Sequence, residues 1–203
     1  SNISGENDRQ LAQDELPQSA SGKTIMTTEP KFIPKEAVSI NVADNLDMKV
    51  KMIDCVGYVV KDAEGQFEDG KERMVRTPWF DYDIPFSKAA EIGTNKVINN
   101  HSTVGIVVTT DGSFGELPRE SYLEAEQKTV DELKAIGKPF VILLNTDKPS
   151  SSQTAALSAE MSDTYGASVI PVNVEQLRES DITYIFTELL MSFPVTSIYF
   201  EIP

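Results

Sequence analysis

Residues 139–145 read PFVILLN, an apolar run that begins at a proline and ends at an asparagine. Every position from 140 to 144 is apolar, whereas a strand with one face in water would alternate apolar and polar residues. Residues 104–110, VGIVVTT, have a similar character. Strands of this kind are buried on both faces, as in parallel sheets that carry helices on each side. The two stretches therefore predict an α/β fold.

The segments around these strands alternate between helix and strand patterns. From residue 87 onward, the sequence predicts helices over 87–100, 119–136, 151–165 and 180–192 and strands over 104–110, 139–145 and 168–174. Upstream, residues 37–42 (AVSINV) and 46–55 (LDMKVKMIDC) flank a turn signal and predict an antiparallel hairpin. We therefore expect a three-layer α/β/α architecture with a mostly parallel sheet.

Three parts can be distinguished along the 203 residues. Residues 1–35 are expected to be a polar leader, and residues 36–193 the α/β domain. Residues 194–203 alternate after Pro194 and predict an edge strand or the start of a following domain. Residues 57–86 are rich in loop signals, and a connection of this length is usually functional or mobile.

Composition restricts the classes of partner. The formal net charge is −14 and the sequence pI is about 4.5, so nucleic acid and anionic membranes would repel the chain. The single cysteine, Cys55, excludes an internal disulfide and fits a reducing compartment. No apolar run reaches the ~18 residues of a membrane span, which predicts a cytoplasmic protein with no direct span.

Residues 22–24 (GKT) match the end of a phosphate-binding P-loop, but their surroundings do not. A P-loop needs a glycine five residues before the Gly-Lys pair, and here that position is Pro17, which has no N–H. The preceding residues are polar rather than a buried strand, and Pro30 interrupts any following helix. This GKT is therefore not a P-loop.

A strand that ends in Asp-x-x-Gly places Asp54 and Gly57 where P-loop NTPases need them. In that class the aspartate lies near a magnesium ion, usually through water, and the glycine N–H meets the terminal phosphate. Thr27 and Thr28 precede the hairpin, as switch threonines that contact magnesium and phosphate do, although ordinary loop threonines are the alternative. Tyr58 stands where many GTPases orient water with glutamine.

Residues 145–148 (NTDK) end a strand where GTPases carry Asn-Lys-x-Asp to read guanine. Asn145 and Asp147 are the candidates for nucleotide contact in this loop. Thr146 replaces the lysine, and Lys148 replaces the aspartate that would accept the guanine N–H groups, which argues against guanine selectivity. The neighbouring polar loop at residues 109–112 is expected to form a turn and cap its strand.

Six long segments make the chain resemble the nucleotide-binding region of the stage IV sporulation protein A family. They are distributed along the chain from residue 13 to residue 195 and read QDELPQSASGKTIMTTEPKF, MIDCVGY, TPWF followed by IPFSKAAEIGT, HSTVGIVVTTDGSFG, GKPFVILLN and LRESDITYIFTELLMSFPV. The resemblance implies a P-loop NTPase-like fold related to translation-factor GTPases but using ATP and Mg²⁺. In that family a P-loop and its helix precede the leader, so we expect a fragment that lacks the first strand and P-loop helix.

By the same resemblance, the intact protein hydrolyses ATP to polymerise into the basal layer of the spore coat around the forespore, on the mother-cell side. The implied partners are further copies of itself, a small amphipathic membrane-anchoring peptide and other coat proteins. Asp54 corresponds to the magnesium-associated aspartate, and Thr27 and Thr28 to nucleotide-sensing threonines. The alternatives are an interaction module without nucleotide binding, or a GTPase. In the truncated chain we expect the hairpin to be displaced, mobile or completed by a neighbouring molecule.

Overall fold

The computed structural model describes residues 31–43 and 46–194. Within that part the strands are β1 (Lys31–Ala43), β2 (Leu46–Asp54), β3 (Phe67–Glu68), β4 (Lys71–Glu72), β5 (Met74–Val75), β6 (Ile84–Pro85), β7 (Gly105–Thr110), β8 (Phe140–Asn145) and β9 (Val169–Val172). The helices are α1 (Phe86–Lys96), α2 (Leu123–Ala135), α3 (Ser152–Tyr165) and α4 (Glu179–Met191). The predicted order of helices and strands is thus confirmed.

The central sheet consists of three parallel strands in the order β7-β8-β9. Strand β8 lies in the middle and buries both of its faces. Val141 and Leu143 face one hydrophobic core, whereas Ile142 and Leu144 face the other. The apolar run at residues 140–144 therefore has the position that its composition predicts, and the α/β fold class is confirmed.

The two faces of this sheet are covered differently. Ile106 and Val108 of β7 are exposed, so the prediction that this strand is buried on both faces is wrong. One face packs on α2 and α3 through residues such as Val130, Leu133 and Met161. The opposite face packs on α4 through Ile185, Phe186 and Leu189, and on β1 through its inward-facing valines and isoleucine. On this face, β1 and α4 together form the layer in which an α/β/α fold would have two helices.

Strands β1 and β2 form an antiparallel sheet of their own, which is not hydrogen-bonded to β7-β8-β9. Val38, Ile40 and Val42 alternate toward the core, as the period-2 pattern predicts. Strand β1 begins at Lys31, before the predicted start at residue 37, and its register shifts between Ile33 and Val38. A shift there accommodates Pro34, which has no N–H to give to a ladder.

Residues 57–86 connect the hairpin to α1 mainly by turns and short ladders, as expected for a loop-rich connection. Helix α1 continues into a π-helical turn at Val97–His101. The Lys138 ammonium caps this turn by donating to the backbone oxygens of Ile98 and Ser102. None of the described helices is both long enough and apolar enough to span a bilayer. The predicted strand at residues 195–202 lies outside the described residues.

Candidate functional site

The carboxyl ends of β7, β8 and β9 lie at one edge of the central sheet, where open α/β sheets bind ligands. Two loops leave this edge next to each other. They are the β7 exit loop (residues 111–118) and the base-side loop (residues 145–148). The predicted residues Asn145 and Asp147 both belong to the base-side loop.

Asn145 connects the exits of all three strands. Its Oδ1 accepts a hydrogen bond from the Val174 N–H, 3.1 Å away, in the segment after β9. Its backbone oxygen accepts from the Asp111 N–H at 3.3 Å, and the next amide, that of Thr146, donates to the Val172 oxygen at 2.8 Å. Asn145 therefore joins the carboxyl ends of the three strands through both its side chain and its backbone.

Thr146 points into the protein and is 0 % exposed. Its hydroxyl donates to Asp111 Oδ2 at 2.5 Å and accepts from the Lys148 N–H at 3.2 Å. The Thr146 side chain therefore links the base-side loop to the β7 exit loop.

Asp111 accepts further hydrogen bonds within its own loop. Its Oδ1 receives the Ser113 N–H at 2.9 Å and the Ser113 hydroxyl at 2.5 Å. Ser113 Oγ in turn accepts the Asp147 N–H at 2.9 Å. Burial raises the pKa of Asp111, but the hydrogen bonds from Ser113 and Thr146 outweigh burial and hold that pKa below its usual value. The predicted turn is confirmed, but its link to the base-side loop was missed.

The charged side chains of the base-side loop face solvent. The Asp147 carboxylate is 46 % exposed, and Lys148 Nζ lies 3.3 Å from its Oδ2. An exposed pair of this kind contributes little to stability. Both groups are therefore accessible to a ligand at the carboxyl edge.

A buried ion pair lies beneath the β7 exit loop. Arg119 donates from Nη1 and Nη2 to the two carboxylate oxygens of Glu126, at 2.5 and 2.7 Å. Tyr165 adds a hydrogen bond from its hydroxyl to Glu126 at 2.6 Å, and Arg119 also reaches Thr109 Oγ1 at 3.0 Å. Burial raises the pKa of Glu126, while Arg119, Thr109 and Tyr165 lower it to a net value below the usual range. The β7 exit loop is therefore followed by Arg119, whose carboxylate partner Glu126 accepts hydrogen bonds at both oxygens.

The Asp54 and Gly57 candidates lie in another part of the fold. Asp54 is the exposed last residue of β2, in the hairpin sheet rather than the sheet of Asn145. Gly57 has a φ of +79°, a left-handed conformation that favours glycine, and its backbone makes a hydrogen bond to the Cys55 thiol. Tyr58 packs in the core with Val107, which removes it from the role of orienting water. Burial raises the pKa of the Cys55 thiol, consistent with a structural cysteine.

The described residues offer more contacts for the base of a nucleotide than for its phosphates. Asn145, Asp147 and Lys148 offer polar groups for a base, and Gly57 is the described glycine candidate for the phosphate end. Residues 65–71 have the glycine spacing of a P-loop, but Glu72 replaces the Ser/Thr and the segment forms the β3-β4 hairpin. Thr27 and Thr28 lie outside the described residues. Within residues 31–43 and 46–194, no three His, Cys, Asp or Glu side chains cluster to hold a metal.

Comparison with known proteins gives the family. Residues 1–194 match the family described as stage IV sporulation protein A, ATPase domain. The chain belongs to the stage IV sporulation protein A family. It is 51 % identical over 202 residues to stage IV sporulation protein A of Bacillus anthracis, 49 % to that of Bacillus subtilis and 48 % to that of Clostridioides difficile.

Each alignment with these stage IV sporulation protein A sequences covers 100 % of this chain but 41 % of the relative. The chain therefore spans less than half the length of the curated relatives that it matches. No solved structure matches the chain significantly. The description of the stage IV sporulation protein A domain as an ATPase domain agrees with a parallel sheet flanked by helices.

Proposed function

We propose that this chain is the nucleotide-binding part of a sporulation ATPase. The observation that carries the proposal is the rim formed by the base-side loop and the β7 exit loop. It lies at the ligand-binding edge of an α/β sheet, in a chain that matches an ATPase-domain family. Fold alone would not license a function, so the proposal depends on this combination of site and family.

ATP suits this rim better than GTP. A guanine base presents N–H donors that need a carboxylate at the fourth loop position, where this chain has the donor Lys148. A site that leaves such donors unpaired rejects the ligand by a large factor. Adenine has an amino group and a ring nitrogen, which the Asp147 carboxylate and neighbouring polar groups can satisfy. A GTPase is accordingly the less favoured reading.

We assign the phosphate end to Asp54 at the end of the hairpin, Gly57 after it, and Thr27 and Thr28 before it. Asp54 would hold a magnesium ion through water, and the Gly57 N–H would meet the terminal phosphate. Thr27 and Thr28 complete this set as contacts to metal and phosphate. When bound, Mg²⁺ would neutralise charge on the phosphate oxygens. Tyr58 is buried, so a group other than Tyr58 must orient the attacking water.

At the level of the whole protein, we propose that ATP hydrolysis drives self-assembly into the spore-coat basal layer at the forespore surface, in the mother-cell cytoplasm. The further partners would be a small amphipathic membrane-anchoring peptide and other coat proteins. The names of the relatives support a role in sporulation. The resemblance of the sequence segments is what supports the proposed polymer and partners.

Calorimetry with Mg-ATP and Mg-GTP tests this function on two proteins, the 203-residue chain and the protein encoded by the complete reading frame. We expect no measurable binding by the 203-residue chain, because neither GKT at residues 22–24 nor GK at residues 70–71 belongs to a complete P-loop motif that could supply phosphate-binding amides. The complete protein should bind and hydrolyse ATP in preference to GTP. If the complete protein uses ATP and GTP equally, or binds neither, the proposal is refuted.

A second candidate is an interaction module that acts without nucleotide. It is favoured by the open side of β7, where Val108 is 63 % exposed although its register partner Leu143 is buried. Apolar residues on an edge strand can pair with another chain. ATP-independent association of the complete protein, unchanged by removal of nucleotide, would support this candidate over the ATPase.

A further inference from the structure

Two side-chain hydroxyls of the rim give their protons to one carboxylate. The Ser113 hydroxyl donates to Asp111 Oδ1 and the Thr146 hydroxyl donates to Asp111 Oδ2, each at 2.5 Å. Thr146 is fully buried, so water cannot replace its partner. Because an ionised carboxylate can only accept, Asp111 fixes the direction in which both protons point.

The same two hydroxyl oxygens then accept the backbone amides of consecutive residues. Ser113 Oγ accepts the Asp147 N–H at 2.9 Å, and Thr146 Oγ1 accepts the Lys148 N–H at 3.2 Å. With its proton directed to Asp111, each oxygen presents a lone pair to the loop amide. The backbone of the base-side loop is therefore held by hydrogen bonds whose donor and acceptor directions are set by Asp111.

Asp111 is poorly placed to act on a ligand directly. Its Oδ1 already accepts two hydrogen bonds from Ser113, and its Oδ2 accepts the hydroxyl of the buried Thr146. Within the described part of the chain, no acidic or histidine cluster accompanies it to form a metal site. Its contacts instead run to the loop that carries the nucleotide-contact candidates.

We propose that Asp111 is a positioning residue for base recognition, fixing residues 145–148 in the conformation that binds the nucleotide. This inference rests on the proposed nucleotide-binding function. Asparagine at this position would have the same shape but would present an amide donor to one of the hydroxyls. That hydroxyl proton would then lose its acceptor or turn toward a loop amide, which disrupts the network.

The first test measures amide hydrogen exchange in the 203-residue chain without nucleotide. Asp111→Asn should speed exchange of both the Asp147 and Lys148 amides by about tenfold. Ser113→Ala should affect the Asp147 amide alone, and Thr146→Val the Lys148 amide alone. Asp131→Asn is the matched control, because Asp131 is an exposed aspartate that accepts a local hydrogen bond from Gln127 at 2.8 Å.

This pattern distinguishes hydrogen bonds that are oriented by Asp111 from a general loosening of the base-side loop. If Asp111→Asn leaves both amides protected, the inference is wrong. It is also wrong if Ser113→Ala exposes the two amides equally, since each hydroxyl would then not hold its own amide. Ser113 is exposed, so its alanine variant tests the network even if a change at Asp111 prevents folding.

The second test uses ATP hydrolysis by the protein encoded by the complete reading frame. We expect Asp111→Asn and Ser113→Ala to raise KM for ATP, Asp111→Asn by about tenfold, with kcat within about twofold of wild type. Thr146→Ser, which keeps the hydroxyl, should remain close to wild type. An effect on the fraction of active protein with unchanged KM would show a purely structural role and overturn the inference.

The two proposals fail in different ways. A wild-type protein that neither binds nor hydrolyses ATP would refute the proposed function, and the inference with it. A wild-type protein that is active, with an Asp111→Asn variant of unchanged KM, would refute the inference alone.

Discussion

Replacing Glu126 by glutamine is expected to destabilise the fold strongly. Glu126 is 4 % exposed and accepts hydrogen bonds from both terminal nitrogens of Arg119 and from the Tyr165 hydroxyl. Glutamine would turn an amide donor toward one of these donors and would leave the guanidinium without a counter-charge. The Arg119 side chain is only 14 % exposed, so water can compensate only in part.

The magnitude follows from the cost of leaving one ion of a buried pair alone. Removing one partner of such a pair typically costs about 3–5 kcal/mol. We expect about 3 kcal/mol, at the lower end, because Arg119 keeps hydrogen bonds to Thr109 and to the Thr110 oxygen at 3.0 and 3.2 Å. Tyr165→Phe removes one hydrogen bond and should cost about 1 kcal/mol.

Urea unfolding of the 203-residue chain at pH 7 measures these differences, with Glu124→Gln on the exposed face of α2 as the matched control. The control should lie within about 0.5 kcal/mol of wild type. Because the folded pKa of Glu126 is depressed, its contribution is present above the unfolded pKa of about 4.3 and is lost as pH falls through the folded pKa. The gap between wild type and Glu126→Gln should therefore close in acid. A gap under 0.5 kcal/mol at pH 7, or one that is unchanged at low pH, would refute the reasoning.

Three further outcomes are expected. Gly112→Ala should cost about 1–3 kcal/mol in urea unfolding, because φ is +88° and the new Cβ would lie 2.9 Å from the Arg119 backbone nitrogen; Gly115→Ala, at φ +79° with no contact under 3.8 Å, should cost less. Asp54→Ala in the protein of the complete reading frame should reduce ATP hydrolysis while leaving its melting temperature nearly unchanged, and a large loss of stability with normal activity after refolding would contradict the assignment. Cys55 in the folded chain should react with a thiol reagent at pH 8 more slowly than in the urea-unfolded chain, because burial raises its pKa; equal rates would contradict this.

The helices and strands after residue 87 could be predicted because their signals are local. Continuous apolar residues at 140–144 require burial on both faces, and Pro139 and Asn145 bound that run. Strand β9 ends at Val172, before the predicted boundary at 174, because the chain turns into a 3₁₀ turn at Val174–Gln176. Boundaries of this kind depend on hydrogen bonds that a periodic pattern does not contain.

The candidate site could be predicted only where a motif marks a strand exit. Asn145 and Asp147 were identified by the form of their loop, and Asp54 and Gly57 by the Asp-x-x-Gly pattern. Asp111 was not identified as part of the site, because an aspartate followed by glycine is an ordinary turn signal. Its partner Thr146 lies 35 residues away, and only the alignment of β7 beside β8 brings them within 2.5 Å.

By itself, the sequence determined the α/β class, the order of the elements and the loop that carries the base-side candidates, because all of these follow from residue spacing along the chain. The tertiary structure alone decided that β1 packs with α4 on the central sheet, that Glu126 is buried against Arg119, and that Tyr58 belongs to the core. The physical reason is that burial and pairing depend on which distant segments share a face of the sheet. Spacing between neighbouring residues specifies which side of an element is apolar, but not which element will cover it.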